Sequence, residues 1–140
     1  MTSQRVVVGI DGSENSKQAL RWAVDHARRI GGTVDAVTVW EVPLSIIVVP
    51  TAEEQDYADH ATEVLQAVLD DVVGPESDVP ISAHIEEGRA ARVLARVAED
   101  ADLLVVGSHG RGELPGMHLG TVATYLVHHA PCPVVVLRSA

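Results

Sequence analysis

The sequence predicts an α/β protein: a three-layer sandwich in which a parallel five-stranded sheet carries helices on both faces. Apolar, β-branched runs alternate with helix-like stretches in the order β-α-β-α-β-α-β-α-β. The chain has 2 Trp, 2 Tyr and no Phe, so its core must be built from Val, Leu, Ile and Ala, which suits buried parallel strands. No linker, repeat or shift in composition interrupts the 140 residues, a length that suits one domain with one core, 1–140.

"RVVVGI", from about Arg5 to Asp11, reads as a buried strand. "DGSENS" then turns the chain and starts a helix, with Ser13 or Asn15 as its cap. Leu20, Ala23, Val24, Ala27 and Ile30 recur at helical spacing, and Gly31–Gly32 stops the helix. "TVDAVTVW" is a second strand. "EVPLSIIVVPT" is apolar yet bracketed by Pro43 and Pro50, a poor helix and an awkward central strand. It reads as a loop that covers something or meets a partner.

A long helix follows from about Ala52 to Val73, with Tyr57, Ala61, Val64, Leu65, Val68 and Val72 as its apolar stripe. In "DVPISAHIE", Val79, Ile81, Ala83 and Ile85 alternate with Pro80, Ser82, His84 and Glu86. Strict alternation leaves one face wet, and with Pro80 it places this third strand at a sheet edge. Ala90 to Asp100 is a helix with Ala90, Val93, Leu94, Val97 and Ala98 inward. "DLLVVG" is apolar on both faces, hence a central strand. A glycine-rich loop, the helix Val122–His129 and a last strand in "PCPVVVLR" complete the chain.

Ten basic and twenty acidic residues give a net charge of −10. That argues against nucleic-acid or anionic-membrane binding, which needs a cationic face, but not against a small anion met by local donors. The single cysteine, Cys132, cannot form an intrachain disulfide and reads as a small packed residue between two prolines. That lone, unpairable cysteine points to a reduced, cytoplasmic setting; the start shows no signal pattern, and no apolar run is long enough to span a bilayer.

The loop "GSHGRGELPGMHLGT", Gly107 to Thr121, holds five glycines. It lacks the lysine of a Walker loop, and "GIDGSENS" does not match a dinucleotide fingerprint. What remains is physical. Gly107, Gly110 and Gly112 can bring backbone N–H groups close to an anion, and Gly120–Thr121 opens a helix whose first N–H groups carry partial positive charge. Arg111 can add a charge-assisted bond, and Thr121 can cap the helix or bond a phosphate oxygen. The plainer reading is a strand-to-helix connection, but at about 14 residues the loop exceeds ordinary connections of that kind.

The spacing Gly107, two residues, Gly110, nine residues, Gly120, Thr121 resembles the nucleotide-binding motif of the universal stress protein family, G-x2-G-x9-G-(S/T). "VVVGIDGSENSKQALRWAVDHA", "ADLLVVGSHGRG" and "LGTVATYLVHHAPCPVVVLR" agree with it, so the resemblance covers nearly all the chain except Glu41 to roughly Asp78. It implies a sheet of order 3-2-1-4-5, which sets strands one and four side by side and strand three at an edge. It also implies ATP as ligand, with magnesium or manganese as a companion, while AMP, ADP or a cyclic nucleotide stay open. Carried over by position, Gly107, Ser108, His109, Gly110, Arg111, Gly112, Gly120, Thr121 and Val122 surround phosphates and ribose. Asp11 faces the ribose or a phosphate-bound metal, Val39 walls the adenine, and Gly12 and Ser13 complete the rim. Glu113 and Pro115 in the loop, and His118, depart from what a phosphate path favours.

Asp11, His109 and Arg111 are the only candidates for catalysis, and none has a partner evident from spacing. A nucleotide-gated regulator acting through a protein partner is therefore expected over a slow ATPase. The resemblance further implies a homodimer through the last strand.

Overall fold

The structure, a computed structural model, describes residues 3–42, 54–110 and 119–138. Five strands form one parallel sheet: β1 (Arg5–Gly9), β2 (Thr33–Trp40), β3 (Ile81–Glu87), β4 (Leu103–Gly107) and β5 (Val134–Leu137). Its order is β3-β2-β1-β4-β5, as the resemblance implied. The described helices are α1 (Glu14–Ile30), α2 (Glu54–Val72), α3 (Ala90–Val97) and α4 (Thr121–His129).

The sheet is covered on both faces. Val6, Val8, Val34 and Ala36 pack with Leu20, Ala23 and Ala27 of α1 and with Leu65 and Val68 of α2. Val7, Val37, Leu104 and Val106 pack on the opposite face with Leu94 of α3 and Ala123 and Leu126 of α4. Successive residues of a strand point to opposite faces, so continuous valine runs such as "VVV" in β1 supply both cores at once. Truncating a fully buried leucine such as Leu20, Leu104 or Leu126 to alanine would cost about 2–5 kcal/mol.

Several local expectations change. Strand β1 ends at Gly9, short of Asp11, because the chain turns away once the Ile10 N–H has bonded to the Val37 carbonyl at 2.8 Å. Ile30 closes α1 and is exposed, since Gly31 reverses the chain there in a left-handed conformation (φ 69°). On edge strand β3, Val79 just before it is buried, but the small Ala83 stays exposed. The predicted helix to Asp100 tightens into a 3-10 turn over Ala98–Asp100, in which the Ala101 N–H bonds to the Ala98 carbonyl. The apolar segment Leu44–Val49 lies outside the described residues.

Candidate functional site

Strands β1 and β4 are neighbours, yet α1 leaves β1 over one face while α4 leaves β4 over the other. Loops that diverge in this way leave a crevice beyond the carboxyl ends of the strands. A cleft opens there, with about 500 Å³ of empty space counted to its solvent mouth. Ile10, Val37, Val39, Leu94 and Val106 line it with apolar surface, and Asp11, Gly107, His109 and Gly110 bring polar groups. An apolar pocket with a few convergent polar groups is the usual form of a small-molecule site.

The turn after β1 fixes Asp11. Its Oδ1 accepts hydrogen bonds from the Ser13 N–H at 2.9 Å and the Ser13 hydroxyl at 2.6 Å. The same Ser13 hydroxyl accepts from the Ser16 N–H at 3.1 Å and so caps α1. Ser13, rather than Asn15, is therefore the cap. Gly12 takes a left-handed φ of 87° to allow this turn. The carboxylate of Asp11 is held at the cleft by the same bonds that start α1.

Asn15 has a different task. It is buried, and its Oδ1 accepts from the His109 N–H at 2.8 Å and the Ser108 hydroxyl at 3.2 Å. Its Nδ2 donates to the Leu137 carbonyl at 2.9 Å, and the same carbonyl accepts from the Ser108 N–H at 2.7 Å. One amide thus ties α1 to the start of the glycine loop and to the end of β5. Ser108 Oγ also lies 3.0 Å from His109 Nδ1, and while its one proton goes to Asn15 it can accept from an N–H there.

The two glycines that open the loop are bare for distinct reasons. A Cβ on Gly107 would lie 2.6 Å from Asn15 Oδ1, so this glycine makes room for the Asn15 amide. A Cβ on Gly110 would lie 2.6 Å from Asp11 Oδ2, so here loop backbone and carboxylate meet at the cleft itself. At the far end, the Gly120 N–H donates to the Ser108 carbonyl at 2.6 Å, which pins the end of the loop to its beginning. Gly120 is the N-cap of α4, and Thr121 is the first helical residue, not the cap. A glycine cap supplies no side-chain acceptor to the first-turn N–H groups of α4, the ordinary setting for an anion.

Of the residues singled out from sequence, Asp11, Val39, Gly107, His109, Gly110 and Val122 line this one cleft. Gly12 and Ser13 shape the turn beneath it, and Ser108 is buried behind the loop. Gly120 is buried at the start of α4, and Thr121 lines an adjoining groove. Arg111, Gly112, Glu113, Pro115 and His118 lie outside the described residues. Sequence reasoning missed Ile10, Val37 and Leu94 as walls and Asn15 as the loop's anchor. The hint for Asn15 was a buried polar residue on the inward face of α1, at i−4 from Ala19.

A sequence model of the universal stress protein family matches residues 2–138. The chain belongs to this family. It is 37% identical over 138 residues to the universal stress protein Rv2005c of Mycobacterium tuberculosis, covering 96% of this chain and 45% of that protein. The chain therefore spans about half the length of such curated relatives. Among solved structures it resembles the universal stress protein UspA from Lactobacillus plantarum, with a TM-score of 0.80 at 23% identity, over 99% of both chains. It also resembles a universal stress protein in complex with cAMP, TM-score 0.65 at 24% identity over 100% of both chains. A third is the universal stress protein from Archaeoglobus fulgidus in complex with dAMP, TM-score 0.61 at 19% identity, over 97% of this chain and 98% of that one. Among the described residues no helix is long and apolar enough to cross a membrane, and no group of three His, Cys, Asp or Glu could hold a metal ion.

Proposed function

We propose that this universal stress protein binds an adenine nucleotide, ATP foremost, in the cleft between β1 and β4, and that the bound state regulates a protein partner in the cytoplasm. The observation that carries this reading is the meeting of bare backbone at Gly110 with the Asp11 carboxylate, at the mouth of an apolar cleft beside the start of α4. Val37 and Val39 give the adenine an apolar wall, and Asp11 accepts from ribose hydroxyls. Gly110, Arg111 and Gly112 take the phosphates together with Thr121 and Val122, while His109 and Gly120, whose N–H groups are given to Asn15 and Ser108, set the backbone on either side. Gly107 and Ser108 shape the loop from behind through Asn15. An accompanying magnesium or manganese ion would rest on phosphate oxygens, with the Asp11 carboxylate beside Gly110 able to join it. The cAMP and dAMP complexes of two structural neighbours support the adenine class.

Substituting Gly110→Glu tests the reading. The new side chain would fill the place of the phosphates and set a second carboxylate beside Asp11, so ATP affinity should fall by about a hundredfold or more, roughly 3 kcal/mol. Titration calorimetry reads it, with a thermal melt to show that the fold persists. Unchanged affinity in a folded variant would place the phosphates elsewhere.

A further inference from the structure

Beside the cleft, on the face of α3 and α4, lies a second concavity of about 730 Å³ of empty space counted to open solvent. It adjoins the cleft, since Ala90 and Val122 line both hollows. Its own lining brings Arg89, Arg92, Thr121, Tyr125 and Glu41. Arg89 and Arg92 put two of the chain's ten basic residues on one groove, in a chain of net charge −10. Most other cations are already paired: Arg5 with Asp35, Lys17 with Glu14 and Asp71, Arg28 with Asp25 and Asp78, Arg29 with Asp25, and Arg96 with Glu86. Arg89 and Arg92 make no ion pair with any described residue. Two exposed guanidiniums without an ion-pair partner among the described residues are open to an incoming anion.

The remaining lining says what kind of anion. Tyr125, one of two tyrosines in the chain, brings a half-buried ring to the groove. Rings of this kind stack on nucleobases irrespective of their identity. Glu41 offers a carboxylate, which accepts from the hydroxyls of a ribose and would repel a bare phosphate. Thr121 stands at the start of α4, where the phosphate path of the first cleft ends. A base, a ribose and phosphate charge are thus all matched in a groove that adjoins the cleft.

We infer that the groove between α3 and α4 receives the second nucleoside of a dinucleoside polyphosphate whose first adenosine occupies the cleft, with Arg89 and Arg92 on the bridging phosphates and Tyr125 and Glu41 on the second nucleoside. The inference rests on the nucleotide reading of the cleft and extends it to a ligand class. A mononucleotide fills one hollow; a dinucleotide with a polyphosphate bridge fills both.

The test is calorimetric titration of the full chain with ATP and with diadenosine tetraphosphate, in the wild type and in an Arg89→Ala, Arg92→Ala double variant. Both substitutions are on exposed side chains, and a thermal melt confirms that the variant folds. The wild type should bind diadenosine tetraphosphate at least about tenfold tighter than ATP, and the double variant should lose that advantage while its ATP affinity moves less than about threefold. If ATP binds and diadenosine tetraphosphate binds no tighter, the groove assignment is overturned and the cleft reading stands. Equal losses for both ligands in the variant also overturn it, because the arginines would then serve the mononucleotide. If neither ligand binds the wild type, both readings fall together.

Discussion

Asn15 makes three hydrogen bonds from one buried amide. Its amide accepts from the loop at His109 and Ser108 and donates to β5 at Leu137. Asn15→Ala would leave buried donors without an acceptor, at a cost of about 1–3 kcal/mol, and would release the loop's first residues. Urea unfolding should show that loss, and ATP affinity should fall with it; a variant unchanged in both would mean the amide does not hold the loop. Cys132 behaves in the opposite sense. Burial, with Asp102 nearby, pushes its thiol above the ordinary cysteine value, so at neutral pH it stays protonated. Alkylation by iodoacetamide should be slower than for a free thiol at pH 7 and should accelerate as pH rises past the range where free thiols ionise. Rapid neutral-pH labelling would reveal an activated thiolate instead. Cys132 was legible as a packed residue from its flanking prolines. Asn15 was not legible as an anchor, because Ser108, His109 and Leu137 lie 93, 94 and 122 residues away along the chain.

At the scale of elements, the edges of the sheet divide its labour. Strand β3 carries polar residues along one edge, with Ser82 and His84 exposed. Such an edge resists pairing with another chain. Strand β5, Val134–Leu137, is four apolar residues, all half-buried, with no described strand on its outer side. Its Pro133 and Leu137 carbonyls point to β4, accepting from Leu104 and Ser108. Alternation along a strand then turns the N–H groups of Val134 and Val136 outward. The proposed homodimer would pair there, so wild type should sediment as a dimer at micromolar concentration. Val136→Pro removes an outward donor at a place where an edge strand tolerates proline, and should give a folded monomer. A wild-type monomer would remove the interface, and a dimeric variant would move it off β5. The same Leu137 carbonyl is bonded to Asn15, so the loop and this edge share an anchor. The alternation in "DVPISAHIE" made the β3 edge legible. The 3-10 turn at Ala98–Asp100 was not, since an unbroken helical pattern of "VLARVAED" does not show where hydrogen bonding tightens.

Across the whole molecule, the site is a product of topology. Changing sides between β1 and β4 spreads two loops apart, and the cleft fills the gap. The glycine spacing pointed to a loop that the fold brings to this cleft at Gly107 and Gly110, because bare backbone is visible in a sequence. The apolar walls at Ile10, Val37 and Leu94 were hidden, since a valine lining a cleft and a valine in the core look alike until strands are set side by side. The chain's acidity shapes the same site: with a net charge of −10, local amides and arginines must attract an anion that the surface at large repels. The central claim is that main-chain N–H groups at the loop and at the start of α4 hold the phosphates of an adenine nucleotide. Titrating ATP into 15N-labelled protein and following the amide resonances tests it most directly. The account predicts that the largest shifts fall on Gly110, Thr121 and Val122, with smaller ones at Val39 and at His109, whose N–H is given to Asn15. Shifts confined to another face, or none at saturating ATP, would contradict it.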